Sequence, residues 1–198
     1  MTLTRNDLWS LEQYAEKRAE FRTEVLSHKQ DRVVNLNDNA RLIFEDEMTL
    51  RYQIQEMLRI EKVFEAAGIQ EELDVYNPLI PDGDNWKATF MLEYTDIEER
   101  REQLSKLIGV EDKIWMQVTG HDKVYAIADE DLPRQNDVKT SSVHFMRFQL
   151  LPTMIRDALN GAAIVTGCDH DNLTIAGFVI SENTRLSLVN DLQAATLN

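Results

Sequence analysis

Glu61 is the first candidate for chemistry, because it falls among apolar residues on a predicted helix. The stretch I-Q-E-M-L-R-I-E-K-V-F covers residues 54–64. At about 100° per residue, the helical period places Glu61 in the middle of an apolar stripe. The other members of this stripe are Leu50, Ile54, Met57, Leu58 and Phe64. A carboxylate directed into a core is costly unless it is paired, hydrogen-bonded, protonated or bound to a metal. We therefore expect Glu61 to have a specific partner.

His144 is the second candidate, and it lies in the stretch K-T-S-S-V-H-F-M-R-F-Q-L. The period-two alternation of a strand places His144 on one face with Met146, Phe148 and Leu150. A histidine on such a face can be satisfied by a backbone carbonyl or a carboxylate, or it can bind a metal ion. Both interpretations stay open from the residues alone.

Two further histidines could complete a metal site at the edge of a sheet. His121 lies in the turn T-G-H-D, and His170 lies in C-D-H-D at the end of a predicted strand. Two histidines and one carboxylate are typical of non-haem Fe(II) sites. The sequence thus suggests Glu61, His144 and one of His121 or His170 as ligands of iron or another divalent transition metal. No motif fixes the spacing of these ligands.

Other residues could either orient Glu61 as a metal ligand or give it a role that needs no metal. Gln53 and Glu65 flank Glu61 on the predicted helix and could orient it as outer partners of a ligand. Arg147 could instead pair with Glu61, which would make the carboxylate part of a metal-free polar core. Glu61 could also serve as a desolvated general base in a small-molecule enzyme. No glycine-rich phosphate loop or nucleophile elbow is present, so nucleotide binding has no support.

The elements that must position these residues indicate an α+β fold. The pattern predicts a long first helix from the capping-box residues 4–7 to about residue 28, and a β-hairpin of strands 32–36 and 40–44. A helix at about 47–67 is expected to stop at Gly68. Strands are predicted at 87–94, 113–119, 123–128, 141–150, 162–167 and 172–180, with further helices at about 96–108, after Pro152 and after Ser181. We expect one domain, residues 1–198, with a mostly antiparallel sheet and long N-terminal helices packed on it.

Composition excludes several classes of partner and cofactor. The chain has 198 residues and a net charge of −14, which disfavours nucleic acid and anionic membranes as partners. Its single cysteine, Cys168, excludes an internal disulfide and an iron–sulfur cluster of its own. The N-terminus resembles neither a secretory signal nor a transit peptide, so we expect a cytoplasmic protein.

Three stretches resemble a bacterial domain-of-unknown-function family, number 3501. They are the run from Tyr52 to Gly83, the run E-D-K-I-W-M-Q-V-T-G-H-D-K-V-Y-A-I-A-D-E-D-L, and T-S-S-V-H-F-M-R-F. The family carries no established activity. The resemblance implies a companion of rubrerythrin-like diiron proteins and iron–sulfur oxidoreductases.

The sequence therefore supports two main functional hypotheses, and a small-molecule enzyme with Glu61 as its general base is a third. The first is a cytoplasmic iron-binding accessory or subunit of a redox or oxidative-stress system, working beside such a companion protein. The second is a metal-free interaction protein whose polar core specifies the fold and whose acidic surface docks a partner. Either could act as a homo-oligomer.

Overall fold

The chain forms six α-helices and two antiparallel sheets within the residues that the structure describes. The structure is a computed structural model that describes residues 2–131, 134 and 138–193. The helices are α1 (Leu11–Gln30), α2 (Glu47–Glu61), α3 (Ala66–Tyr76), α4 (Ile97–Lys106), α5 (Pro152–Leu159) and α6 (Glu182–Val189). The strands are β1 (Val33–Asn35), β2 (Ala40–Phe44), β3 (Asn85–Leu92), β4 (Ile114–Val118), β5 (Val124–Tyr125), β6 (Ile127–Ala128), β7 (Val143–Gln149), β8 (Ile164–His170) and β9 (Leu173–Val179).

The two sheets share one hydrophobic core. Sheet 1 has the strand order β1-β2-β3-β7-β6, and sheet 2 has the order β5-β4-β8-β9. The chain passes from sheet 2 to sheet 1 at Ala126, between β5 and β6. Phe90 and Phe148 of sheet 1 belong to the same buried cluster as Ile114 and Ile164 of sheet 2. The α+β class with antiparallel pairing is confirmed, although the strands divide into two sheets. No helix among the described residues is long and apolar enough to cross a membrane.

The N-terminal helices lie against the face of sheet 1 that points away from this core. Along β3, Trp86, Ala88 and Phe90 are core residues, so Lys87 and Thr89 point to the other face. The Thr89 hydroxyl donates to Glu45, just before α2, and Lys87 Nζ donates to the Pro78 carbonyl.

Arg32 is a buried cation that fixes α6 against β2. Its side chain is 1% exposed. The guanidinium donates to the carbonyls of Phe44 and Glu45, to Ser187, and to Asp191 at 2.6 Å. Burial raises the pKa of Asp191 to about 6 despite the opposing attraction of Arg32. Every donor group of Arg32 therefore has a protein acceptor, which is what a buried guanidinium needs to be tolerated.

The helix predicted at 47–67 is in fact two helices, and this prediction was wrong. Helix α2 ends at Glu61, because Lys62 adopts a left-handed conformation with φ of 56°. The Val63 N–H then donates to the Leu58 carbonyl, which closes the turn. Gly68 lies inside α3, where a Cβ atom would approach Val63 Cγ1 to 2.7 Å. The glycine thus permits close packing and does not end a helix.

Most other boundaries agree with the sequence pattern. The first hairpin pairs Val33 with Ile43, and the β4–β5 hairpin is also present. The capping box at Thr4 instead belongs to a short 3-10 turn, Arg5–Asp7, and α1 begins at Leu11 with Ser10 as its N-cap. Ser10 is the better N-cap for this helix, because its hydroxyl accepts a hydrogen bond from the Gln13 N–H.

A three-residue polar network joins α1 to α2. The Tyr14 hydroxyl donates to Glu56 Oε1 at 2.6 Å. Arg18 donates to both carboxylate oxygens of Glu56, at 2.6 and 2.9 Å. These hydrogen bonds, above all those from Arg18, lower the pKa of Glu56 to about 2. The charged form of Glu56 therefore stabilises the contact between the two helices.

The lowered pKa of Glu56 makes part of the stability depend on pH. The group contributes stability above its ordinary pKa of 4.5, and this contribution is lost as the pH falls toward 2. We expect Glu56→Gln to be less stable than the wild type at pH 7 and to lose less stability between pH 5 and pH 2, measured by urea unfolding. The control is Glu16→Gln, an exposed glutamate on α1. An unchanged pH slope in Glu56→Gln would contradict this interpretation.

Candidate functional site

His144 lies in the middle of a buried polar cluster, as the strand alternation predicts. Its side chain is 0% exposed, and Met146 and Phe148 on the same face of β7 are also buried. Its Nδ1 is 2.6 Å from Asp129 Oδ2. Because a carboxylate accepts only, Nδ1 is the donor in this pair. The position of the ring is therefore fixed by a buried carboxylate, and Nε2 points to the other side of the cluster.

Asp129 reaches the histidine through an unusual backbone position. It comes directly after β6 and has a left-handed φ of 53°, which Asp and Asn tolerate better than most residues. Its N–H donates to the Phe145 carbonyl at 2.8 Å, and its Oδ1 accepts from the Phe145 N–H at 3.1 Å. Asp129 is thus attached to β7 by three hydrogen bonds, one of which ends on His144.

Three oxygen atoms face Nε2 of His144. Thr140 Oγ1 lies at 2.9 Å, the Ser141 carbonyl at 3.1 Å and Glu111 Oε2 at 3.9 Å. The Thr140 hydroxyl also donates to Glu111 Oε2 at 3.4 Å. Glu111 and Thr140 are 3% and 1% exposed. An imidazole nitrogen, a carboxylate, a hydroxyl and a carbonyl therefore converge in a space shielded from water.

The residues of this polar cluster come from distant parts of the chain. Glu111 belongs to a 3-10 turn, Val110–Lys113, that leads into β4 of sheet 2, whereas His144 belongs to sheet 1. Thr140 is held by its N–H, which donates to the Leu104 carbonyl at the end of α4. The cluster lies where the two sheets and α4 meet. Glu111, Asp129 and His144 offer donor atoms within 4.8 Å of one another, and they form the one such group of three found among the described residues.

Arg134 lies beside the cluster and brings positive charge to its edge. Its Nη1 is 3.5 Å from Asp129 Oδ1 and 2.6 Å from Asp131 Oδ1. Its second terminal nitrogen also donates to Asp131, at 2.7 Å. Arg134 therefore contacts both carboxylates, and its shorter contacts are with Asp131.

The structure does not bring His121 and His170 to His144. His121 Nε2 is 2.8 Å from Asp157 of α5. His170 Nε2 donates to the Ile108 carbonyl, and its Nδ1 accepts from the Asn172 N–H. Each ring serves a local contact at the surface of sheet 2. Neither belongs to the group of three donor residues.

Glu61 is exposed, so the expectation that it points into the core was wrong. The reason is that α2 ends at this residue, and the helical period does not extend into residues 62–65. Glu65 is also exposed as the N-cap of α3, and Gln53 is half-buried. Arg147 does not pair with Glu61, because its guanidinium makes two hydrogen bonds with Glu130, at 2.8 and 2.7 Å.

Asp129, Glu111 and Thr140 were not predicted from the sequence. Asp129 stands between the predicted strand 123–128 and a polar segment, residues 130–140, whose composition is typical of an exposed loop. The one local signal was the position of Asp129 directly after a predicted strand; in the structure β6 pairs with β7, which places Ala128 opposite Met146 and Asp129 next to Phe145, the neighbour of His144. For Glu111 the sequence offers no comparable signal, because its proximity to His144 depends on how the two sheets pack.

Comparison with known proteins identifies relatives without an assigned activity. A family model described as "Protein of unknown function (DUF3501)" matches residues 2–192. A crystal structure described as that of a novel protein of unknown function from Burkholderia pseudomallei K96243 is 48% identical, with a TM-score of 0.94. The match covers 98% of this chain and 100% of that chain. No curated protein matches the sequence.

We expect Asp129 to be essential for the stability of the cluster. Asp129→Ala removes the acceptor of a buried imidazole N–H and places alanine at a positive φ, so it should cost about 2–4 kcal/mol. Asp129→Asn keeps a side-chain oxygen and tolerates this φ, so its cost should be smaller, about 1–2 kcal/mol. Urea unfolding at pH 7 measures both values.

The control for this comparison is Asp122→Ala, because Asp122 is an exposed aspartate in a nearby turn. It should change the free energy of unfolding by less than about 0.5 kcal/mol. Equal costs for Asp129→Ala and Asp122→Ala would show that the Asp129 contact does not stabilise the protein.

Proposed function

We propose that this chain, which belongs to the DUF3501 family of proteins of unknown function, binds one divalent transition-metal ion at His144 and Glu111. The observation that carries the proposal is the convergence of Glu111 Oε2, Thr140 Oγ1 and the Ser141 carbonyl on Nε2 of a fully buried histidine. His144 and Glu111 would be the principal ligands. Asp129 would hold Nδ1 without touching the ion, the usual arrangement for a histidine that ligates a metal.

The spacing of the donor atoms suits a small cation. Two donors that each lie about 2.1 Å from a metal are about 3 Å apart at a right angle and about 3.4 Å apart at a tetrahedral angle. The observed separations from Nε2 are 2.9, 3.1 and 3.9 Å, and Thr140 Oγ1 is 3.4 Å from Glu111 Oε2. Small side-chain adjustments would therefore be enough to bind the ion.

Charge balance also favours a divalent ion. Asp129 and Glu111 are both nearly inaccessible, and buried carboxylates need counter-charge. A proton on Nε2 gives the ring a single positive charge against two carboxylates; Arg134 Nη1 lies 3.5 Å from Asp129 and makes its shorter contact with Asp131. A divalent cation in place of that proton would neutralise both carboxylates.

The donor set favours Fe(II) or Mn(II) over softer metals. It consists of one imidazole and several oxygens. Cys168 lies in β8 and is outside the group of three donor residues, so no thiolate is assigned to the metal. Iron would fit the proposed role as a cytoplasmic accessory of rubrerythrin-like or iron–sulfur redox proteins, a context that the family resemblance suggests.

Metal uptake and thermal stability test the proposal together. We expect protein expressed with iron to contain about one equivalent of metal by elemental analysis. At a free-metal concentration about 100 times Kd, binding should stabilise the fold by about 2.7 kcal/mol and raise Tm by roughly 5–10 °C. Glu111→Gln should remain folded and lose most of this increase.

The matched control is Glu61→Gln, which changes an exposed glutamate outside the cluster and should leave uptake unchanged. Less than about a tenth of an equivalent, with no Tm increase from Fe(II), Mn(II) or Zn(II), would overturn the proposal. That result would favour the second candidate, a metal-free polar core. A specific observation supports this candidate, because an Nε2–H could donate to the Ser141 carbonyl at 3.1 Å.

The third candidate, an enzyme that uses Glu61 as its general base, loses its premise. A general base with a raised pKa depends on desolvation, and Glu61 is exposed at the end of α2.

A further inference from the structure

An apolar groove lies between the N-terminal turn and the junction of α2 with α3. Its volume is 780 Å³. The apolar residues that line it include Leu8, Leu11, Leu58, Val63, Phe64 and Ile69. Four of these side chains, those of Leu8, Leu11, Val63 and Ile69, are only partly buried against the cluster under the helices. The groove thus offers an apolar floor to solvent.

Phe64 stands at the wall of this groove and is 74% exposed. Its position is fixed by the left-handed turn at Lys62 and by the hydrogen bond from Val63 N–H to the Leu58 carbonyl. Ile60, in the last turn of α2, is 62% exposed. Single exposed apolar residues are common on protein surfaces, whereas an exposed aromatic residue beside an open apolar groove forms a contiguous apolar patch. Such patches are typical of docking surfaces.

The lining of the groove holds one basic and one acidic residue, Arg5 and Glu12, whereas the chain segment beside it at the α2–α3 junction carries excess negative charge. Residues 61–76 contain five acidic residues and a single basic residue, Lys62. The acidic residues are Glu61, Glu65, Glu71, Glu72 and Asp74. Burial, together with repulsion from Glu61 and Glu71, raises the pKa of Glu72. Glu61 and Glu71 therefore lie close enough to Glu72 to repel its carboxylate, and a cationic partner would relieve this repulsion.

We propose that this groove binds a basic amphipathic helix of a partner protein. The apolar side of that helix would cover Phe64 and the groove floor, and its lysine or arginine side would face the carboxylates of residues 61–76. This combination of an apolar groove and complementary charge is a recurring mode of helix recognition. The proposal is independent of metal binding, because none of the residues around Nε2 of His144 lines the groove.

The direct test uses a fluorescein-labelled leucine–lysine peptide of about 16 residues, patterned as an amphipathic helix, and the full chain. Fluorescence anisotropy should detect binding that weakens about ten-fold in Phe64→Ser. The matched control is Ile97→Ser, since Ile97 is 67% exposed on the acidic helix α4. It should leave the affinity unchanged. Circular dichroism confirms that both variants are folded.

A second pair of variants separates the proposed site from general attraction to an acidic protein. Replacing Glu61, Glu65 and Glu71 together by glutamine should lower the affinity and its salt dependence. Replacing Glu16, Glu20 and Glu24, which are exposed on α1, removes the same charge elsewhere and should have a smaller effect.

Three results would overturn the proposal. The peptide could fail to bind, or both triple variants could weaken binding equally, or Phe64→Ser could bind as well as the wild type. Sedimentation equilibrium provides a further check. Self-association that is abolished by Phe64→Ser and is not reversed by the peptide would assign the groove to a second copy of this chain instead.

Discussion

The buried imidazole of His144 is the constraint around which this structure is organised. A polar ring that is 0% exposed needs a partner at each nitrogen, and the partners here come from separate segments. Asp129 arrives by way of the short strand β6, Thr140 and Ser141 precede β7, and Glu111 is supplied by the turn before β4. Satisfying one side chain therefore requires both sheets to be in place. The switch of the chain between sheets at Ala126 is what makes this arrangement possible.

Arg32 is another buried polar side chain, and the contrast between its surroundings and those of His144 explains their different roles. Arg32 is surrounded by carbonyls, by Ser187 and by Asp191, so its donors are matched and its function is to hold α6. At His144 the balance is reversed, because one carboxylate faces Nδ1, and a second carboxylate and two further oxygens face Nε2. Acceptors exceed donors there. A proton on Nε2 satisfies this arrangement in part, and a divalent cation would satisfy it more fully.

How much could be predicted from the sequence depended on the range of the interaction. The inward position of His144 was predictable because period-two alternation is local to β7, and the same holds for the first hairpin. The partners of His144 were not predictable, because their positions depend on the pairing of β6 with β7 and on the packing of one sheet on the other. The prediction for Glu61 was wrong for a different reason. Glu61 is the last residue of α2, because Lys62 adopts a left-handed conformation, so no further helical turn carries the apolar stripe past it and its side chain is exposed.

The junction that invalidated the prediction for Glu61 also produced the apolar groove. Because α2 ends at Glu61, Phe64 lies in the short connection before the acidic helix α3, where its side chain is exposed. The polar cluster around His144 and the apolar groove thus lie on different elements. The proposed metal site and the proposed docking groove therefore use separate residues.

Anomalous diffraction from crystals grown with Fe(II) or Mn(II) tests the central claim most directly, because it locates the ion without reference to activity. We predict one strong peak within coordination distance of both His144 Nε2 and Glu111 Oε2, with Asp129 still bound to Nδ1. The absence of a peak in this cluster, or a peak at His121 or His170 instead, would contradict the claim.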